Sequence, residues 1–416
     1  MKANDIKKDF IWNTTGTFIS ASTSFFFLIF VTRINGTDTA GIFTYAFTLT
    51  LLIQILGYYA GRVFQVTENS KKISDSDFIY NHMITSILMI VVGLVFSLIM
   101  KYSGLKFSLI ILLVIYRAIE AFADTFYAII QKANNLYKVG ISFFLKGILS
   151  MISFLLIDII TKNLLLSVFS IIIVQLSVIT LYDLKNLKSV KFKMNKFNYD
   201  NVKYIFKSGF FVFAFTVLNQ YVINSPKYSI DTLLNNTDQT IYGIISMPAT
   251  VMLLLSQFLI HPYITTLKEC LNRNKMLEFK KIVNKLLYAL IIFGIIALVG
   301  AYIVGIPVLE IVYGVKLNNY CLSLLKIIIG STFFGLSFVI SSSLVAMRID
   351  KEQTGLYVIQ CIISYLLCSL FINNYGLYGA FDGYLISMIT LFIMYTILYN
   401  IKIKKIEKGV LNEKYL

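Results

Sequence analysis

The sequence predicts an all-α integral membrane protein of about twelve transmembrane helices, on three observations. Apolar residues make up 57% of the 416 residues and charged ones only 14%, with a mean hydropathy of +0.77, a balance foreign to soluble globules. The apolar runs are about twenty residues long, which suits helices crossing a core about 30 Å thick and is too long for outer-membrane strands of about ten residues. Positive charge also falls on one side. With spans at 10–32, 40–61, 82–100, 107–130, 140–160, 164–183, 204–225, 241–261, 286–306, 322–346, 355–373 and 377–400, 28 of the 37 Lys and Arg lie in inner segments, six in outer ones and three inside spans. This asymmetry predicts cytoplasmic termini. It also accounts for the net charge of +16 as a topology signal and an attraction to anionic lipid, so no nucleic-acid partner is needed.

The first span follows Lys2, Lys7 and Lys8 and holds Trp12 as an inner-interface anchor. The run is long and lacks a small-x-small cleavage site before the next span, so it reads as an uncleaved helix. Arg33 marks its outer end, Asp38 precedes the second span, and Arg62 closes that span on the inner side, before Lys71 and Lys72. His82 opens the third.

The fourth span carries three charges in an otherwise apolar segment, between Tyr116 and Gln131. At about 100° per residue, Glu120, Asp124, Ala128 and Gln131 fall within roughly 60° of Arg117, while Phe122, Phe126, Ile129 and Ile130 take the other side. Arg117 lies about 15 Å along the span, near mid-membrane, where a charge costs at least ~2.5 kcal/mol and marks a substrate or ion path. The alternative is an internal Arg117/Glu120 pair that only joins helices, which leaves Asp124 over.

Lys146 lies inside the fifth span, and the sixth ends at Asp183. The only extended polar break, from Asp183 to Lys203, divides the spans six and six and predicts two lobes, residues 1–195 and 196–416. Two halves with an even number of spans start on the same side, so an internal repeat is parallel. Thr37-Asp38 before Gly41 and Thr237-Asp238 before Gly243 echo each other at the second span of each half.

The seventh span ends at Pro226-Lys227, with Asp231 beyond it. Pro248 lies in the eighth, which ends at His261-Pro262, and Pro307 closes the ninth. All four prolines are in the second half, which is therefore expected to be the more irregular. Lys326 lies in the tenth span, Ser341-Ser342-Ser343 near its inner end, Arg348 follows, and Asp382 lies in the twelfth. Small residues such as Gly93, Gly147 and the serine run permit close helix packing.

Among polar residues in or beside spans, cations outnumber anions: Arg117, Arg33, Arg62, Lys146, Lys227 and Lys326. A path lined this way favours an anion, above all a phosphate. Snorkelling to headgroups is the other reading for those at span ends. Asp38, Asp231 and Asp382 are candidate gate partners for Arg33 or Lys227. Cys270, Cys321, Cys361 and Cys368 lack metal-ligand spacing, His82 and His261 stand far apart in sequence, and no phosphate loop is present. ATP hydrolysis and enzymatic catalysis are not expected.

Several stretches together resemble a known family: Thr39-Ala40-Gly41-Ile42-Phe43, Tyr116-Arg117 through Asp124 to Gln131, and Asn224-Ser225-Pro226-Lys227-Tyr228-Ser229-Ile230-Asp231. To these are added Ile241-Tyr242-Gly243-Ile244 with Met247-Pro248, Val308 to Gly314, and Tyr375-Gly376-Leu377-Tyr378-Gly379-Ala380. In this the chain is similar to the Wzx-type polysaccharide-repeat flippases of the multidrug/oligosaccharidyl-lipid/polysaccharide (MOP) exporter superfamily. The resemblance implies a MATE-like fold with two six-helix lobes around a central cavity, in the cytoplasmic membrane of a bacterium. The implied cargo is an undecaprenyl-pyrophosphate-linked oligosaccharide for capsule, O-antigen or exopolysaccharide, with membrane lipids, a polysaccharide polymerase and chain-length proteins as partners. The pyrophosphate is expected at Arg117 foremost, then Arg33, Lys146 and Lys227. No cofactor is expected, while Glu120 and Asp124 either couple H⁺ or Na⁺ or simply balance Arg117. A drug/cation antiporter of the same superfamily is the runner-up, although residues 10–33 and 204–226 contain no acid. A membrane polysaccharide polymerase would need a large outer loop with clustered Arg or His, and none is present.

Overall fold

The computed structural model describes residues 3–68, 72–190, 192–273, 275–347 and 349–407, all helical or connecting segments with no strand. Lys2, Lys71 and Arg348 lie outside the described residues, as does the side chain of His261. Ten helical segments are long and apolar enough to cross a membrane. The chain adds to these the 29-residue charged helix Gly104–Lys132. The segment Lys351–Ile406 spans 56 residues and is interrupted at Gly376, whose φ of 56° and ψ of −139° are not helical. Glycine alone adopts that backbone without strain. Counting both parts of that segment gives twelve spans among the described residues.

Two compact units divide the chain, Met1–Val217 and Leu218–Leu416. The division falls inside a helix rather than in the polar break at 195/196. Its cause is local packing: Tyr59 lies 4.9 Å from both Phe206 and Phe213, its hydroxyl donates to the Phe206 carbonyl at 2.5 Å, and Ile205 is fully buried. The start of that helix is therefore core of the first unit.

The first unit comprises α1 (Ala3–Asn35), α2 (Thr37–Gly57), α3 (Arg62–Thr67), α4 (Asp75–Ile99), α5 (Gly104–Lys132), α6 (Leu136–Thr161), α7 (Leu164–Val178), a π turn (Ile179–Asp183), α8 (Leu184–Ser189) and the start of α9 (Tyr199–Leu233). Helices α1 and α6 meet at glycine. A Cβ on Gly16 would stand 2.0 Å from the Gly140 carbonyl oxygen, and one on Gly140 2.3 Å from the Trp12 backbone. Further along, Phe27 stacks on Phe154 at 4.7 Å, both buried. In lipid, where hydrophobic burial between helices is weak, such close backbone contact supplies the packing energy. Gly140→Leu should therefore destabilise the detergent-solubilised protein by roughly 1–3 kcal/mol, read as a lowered Tm. Gly300→Ala, which meets no atom within 4 Å, should not.

Helix α5 is the centre of this unit. Its Ala123, Phe126, Tyr127, Ile129 and Ile130 join one apolar cluster with Ile79, Val139, Ile179 and Leu187. Helix α2 stops before it, at Tyr58–Gly61, where Ala60 has a φ of 51°. The carbonyls this break strands are taken up by α4: Asn81 donates to the Tyr59 oxygen at 2.9 Å and Thr85 to that of Gly57 at 3.2 Å.

The second unit continues with the rest of α9, then α10 (Asn236–Ile245), α11 (Met247–Ile260), α12 (Ile264–Asn272), α13 (Met276–Gly300), a π turn (Ala301–Gly305), α14 (Ile306–Tyr313), α15 (Cys321–Ala346) and α16 (Asp350–Glu407). Breaks follow the prolines. Pro248 follows the α10/α11 break, Pro262 lies in a 3₁₀ turn (His261–Tyr263), and Pro307 follows the π turn. Pro226 instead stays within α9. It cannot donate to the Val222 carbonyl, but the neighbouring Ser225 hydroxyl does so at 3.1 Å, which lowers the cost of a buried proline. Helices α2 and α10, which carry the Thr-Asp echo, each follow the opening helix of their half.

Candidate functional site

The one-stripe arrangement of α5 makes an ion pair and a cap. Arg117 is 8% exposed and donates to Glu120 Oε2 at 2.8 Å, one turn away. Its guanidinium lies 4.6 Å from the Phe47 ring centroid and 5.1 Å from that of Tyr116. Gln54 on α2 adds a second donor to the same Glu120 oxygen at 2.9 Å. Arg117 Nε is buried without a partner, so the guanidinium keeps donor capacity for an oxyanion.

Asp124, unassigned if Arg117 and Glu120 pair, accepts the backbone N–H of Arg62 at 2.9 Å. This supplies an acceptor at the start of α3, just past the α2 break. The Arg62 guanidinium lies 5.7 Å from the Phe143 ring, and its Nη1 is buried without a partner. His82 is wholly buried in α4, with Nδ1 3.1 Å from the Ala121 carbonyl.

Lys146 is 5% exposed and donates to Asp183 Oδ2 at 2.8 Å. It also bonds the Tyr127 hydroxyl, which in turn reaches Asp183 Oδ2 and Ser142 Oγ at 3.2 Å. The π turn brings Asp183 to this position, and such single-turn widenings occur often at functional sites. Glu120 and Lys146, one member of each ion pair, border a cavity of about 10 Å³ open to the centre of a water molecule, together with Ser20, Thr23, Tyr116 and Gln175, among others.

The remaining candidates are dispersed. Arg33 and Asp38 are exposed around the turn at Gly36, and Asp231 is half-buried near the end of α9. Asp382 pairs with Lys326 at 2.6 Å rather than with Arg33 or Lys227, because α15 and α16 pack side by side. Lys227 is half-buried in α9, and no carboxylate among the described residues lies within 4.0 Å of it. Of the six cations singled out from the sequence, Arg117, Lys146 and Lys326 are thus neutralised, while neither Lys227 nor Arg62 forms an ion pair among the described residues.

Three partners escaped the sequence reading. Gln54 and Asp183 complete the pairs above. Asp158, wholly buried, accepts from Asn35 Nδ2 at 3.2 Å and Ser167 Oγ at 3.1 Å, with its Oδ2 and Asn35 Oδ1 left unpartnered. The available signal was that Asp158 and Asp183 are acids near the ends of apolar spans, as visible as the cations that were weighed.

The fold is the one seen in solved MATE transporters and in the lipid II flippase MurJ. It superposes on the lipid II flippase MurJ in an inward closed conformation with a TM-score of 0.73 at 17% identity, covering 94% of this chain and 87% of that one. On the D35N mutant of the Vibrio cholerae MATE transporter VcmN the TM-score is 0.66 at 12% identity, covering 97% and 98%. In sequence the chain is 24% identical over 405 residues to the capsular polysaccharide biosynthesis protein CapF of Staphylococcus aureus, covering 94% of this chain and 98% of CapF. No family model matches the chain.

Proposed function

We propose that the protein is a flippase carrying an undecaprenyl-pyrophosphate-linked oligosaccharide repeat unit across the cytoplasmic membrane by alternating access, for assembly of a surface polysaccharide. The observation that carries this reading is the end-to-end similarity to a capsular polysaccharide biosynthesis protein, on a fold that a lipid II flippase also uses. Physical chemistry supports it. A phosphorylated head cannot enter hydrocarbon without losing many kcal/mol of hydration, so a carrier must offer fixed donors on a path open to one side at a time. No bond is broken in such a step. Arg62 Nη1 and Arg117 Nε are buried without a partner, and Lys227 forms no ion pair among the described residues. We assign Arg62 and Arg117 of the first unit to the pyrophosphate and Lys227 of the second unit to a separate phosphate contact, with the prenyl tail in lipid and a polymerase receiving the unit.

A drug antiporter would share the fold. Against it, the first span lacks an acid after Asp9, and Asp9 is occupied in accepting the Tyr137 N–H at 2.8 Å. Deletion in the native host should leave the unpolymerised lipid-linked unit on the cytoplasmic leaflet. Its accumulation on the outer leaflet would overturn the proposal.

A further inference from the structure

Helix α13 carries a pair of cations at one end and borders an apolar groove at the other. Lys281 and Lys285 are exposed one turn apart, and neither has a carboxylate within 4.0 Å among the described residues. With Asn284 and Tyr288 they rim a shallow concavity that runs on to Ala289 and Ile292. The charge distribution of the chain predicts this end to be cytoplasmic. The groove, of about 420 Å³, is lined only by apolar residues, among them Val251 and Leu255 of α11, Phe293 and Gly300 of α13, Leu309 of α14 and Leu324 of α15. At about 100° per residue, Lys285, Ala289, Phe293, Ile296 and Gly300 fall within roughly 80° of one another, so one side of the helix leads from the lysines to the groove. Gly300 is exposed, and a Cβ on it would meet no atom within 4 Å. Unlike Gly16 and Gly140 it gains no helix contact, although glycine weakens a helix relative to alanine. What its missing side chain provides is space.

An apolar groove approached through unpaired cations suits an amphiphile with an anionic head. Its length selects which one. Phe293 lies about 12 Å beyond Lys285 along the helix, and Leu309 about 24 Å further. A phospholipid chain fills only its own leaflet, about 15 Å of a core about 30 Å thick, so with its head at the lysines it would barely reach the groove. A polyprenyl chain long enough to cross the core would fill it. Resting on the flippase reading, we infer that α13 forms a loading site for the substrate's polyprenyl pyrophosphate, with Lys281 and Lys285 on the phosphates and the groove at Gly300 around the tail. The two ammonium groups supply charged donors to phosphate oxygens, and Asn284 and Tyr288 add neutral ones. Because hydrocarbon surrounds the tail in the groove and in the bilayer alike, the groove holds it by shape and packing rather than by removal from water. The site lies within the second unit and uses none of the cations assigned to the head above.

The test is photocrosslinking of undecaprenyl monophosphate, carrying a diazirine near the far end of its tail, to the full-length protein in phosphatidylcholine nanodiscs. Adducts should map to the segment from Phe293 to Leu309, and unlabelled undecaprenyl monophosphate should compete them away while an equal amount of phosphatidylglycerol does not. Gly300→Phe fills the groove without meeting a neighbouring helix, so Tm should hold while adducts fall roughly fivefold or more, as overpacking an occupied site costs. Lys281→Ala with Lys285→Ala should lower them roughly 25-fold, about fivefold for each charge. Gly355→Phe, on α16 and also open, is the control and should crosslink as wild type does. Unchanged adducts in Gly300→Phe overturn the inference, as do adducts spread evenly over the spans. Equal competition by phosphatidylglycerol overturns it too, since the groove then takes bulk lipid. The two readings fail separately. An outer-leaflet repeat unit in the deletion strain overturns transport, while the difference between Gly300→Phe and Gly355→Phe is read on the purified protein.

Discussion

Replacing Arg117 with Ala is expected to abolish surface polysaccharide and to destabilise the protein, and restoring stability should not restore transport. Arg117 and Glu120 form a mostly buried pair with side chains 10% and 19% exposed. Removing one partner of a buried pair leaves an uncompensated charge, at a cost of roughly 3–5 kcal/mol. Gln54 still donates to Glu120, which places the loss toward the lower end. Arg117→Ala with Glu120→Ala removes both charges, and most of that stability should return in a thermal-unfolding assay. If Arg117 only ties α5 together, polysaccharide returns as well. If it holds the head, the double variant folds and transports nothing. A well-folded double variant with normal surface polymer excludes Arg117 from the head site.

Lys227→Ala is expected to behave in the opposite way. No carboxylate among the described residues neutralises Lys227, so its ammonium is a desolvated cation without compensation until an anion arrives. Removing it should leave Tm unchanged or raise it, because no pair is broken and no buried acid is stranded. Transport should fall at least tenfold, since a charge-assisted contact to phosphate contributes about 1.5–3 kcal/mol. Lys227→Arg should retain part of the activity. A Tm lowered by several degrees together with normal polymer would show that Lys227 has a packing role. The contrast with Arg117 is informative because Arg117 is ion-paired while Lys227 has no carboxylate within 4.0 Å among the described residues.

The parts of this molecule legible along the chain are those decided over one helical turn or by one stretch of composition. A period of 3.6 residues places Arg117, Glu120 and Asp124 on one stripe whatever the surroundings, and the i, i+3 pair forms as that period requires. Prolines break α10/α11, the 3₁₀ turn and the segment before α14 because a missing N–H has local consequences. Pro226 departs from that pattern for a reason equally local, the hydroxyl of the preceding serine.

What could not be read were the partners. Lys146 finds Asp183 37 residues away, through a π turn that no periodicity announces. Asp124 meets the Arg62 N–H because α2 ends five residues earlier. Asp382 faces Lys326 through packing of α15 on α16.

Membrane residence and the set of long apolar helices were legible in the residues alone, because the cost of placing apolar or charged groups in lipid depends on each segment by itself. Which of those charges remain available to a ligand was settled only by folding. Neutralisation needs contact within about 4 Å, and contact between distant spans is a property of helix packing.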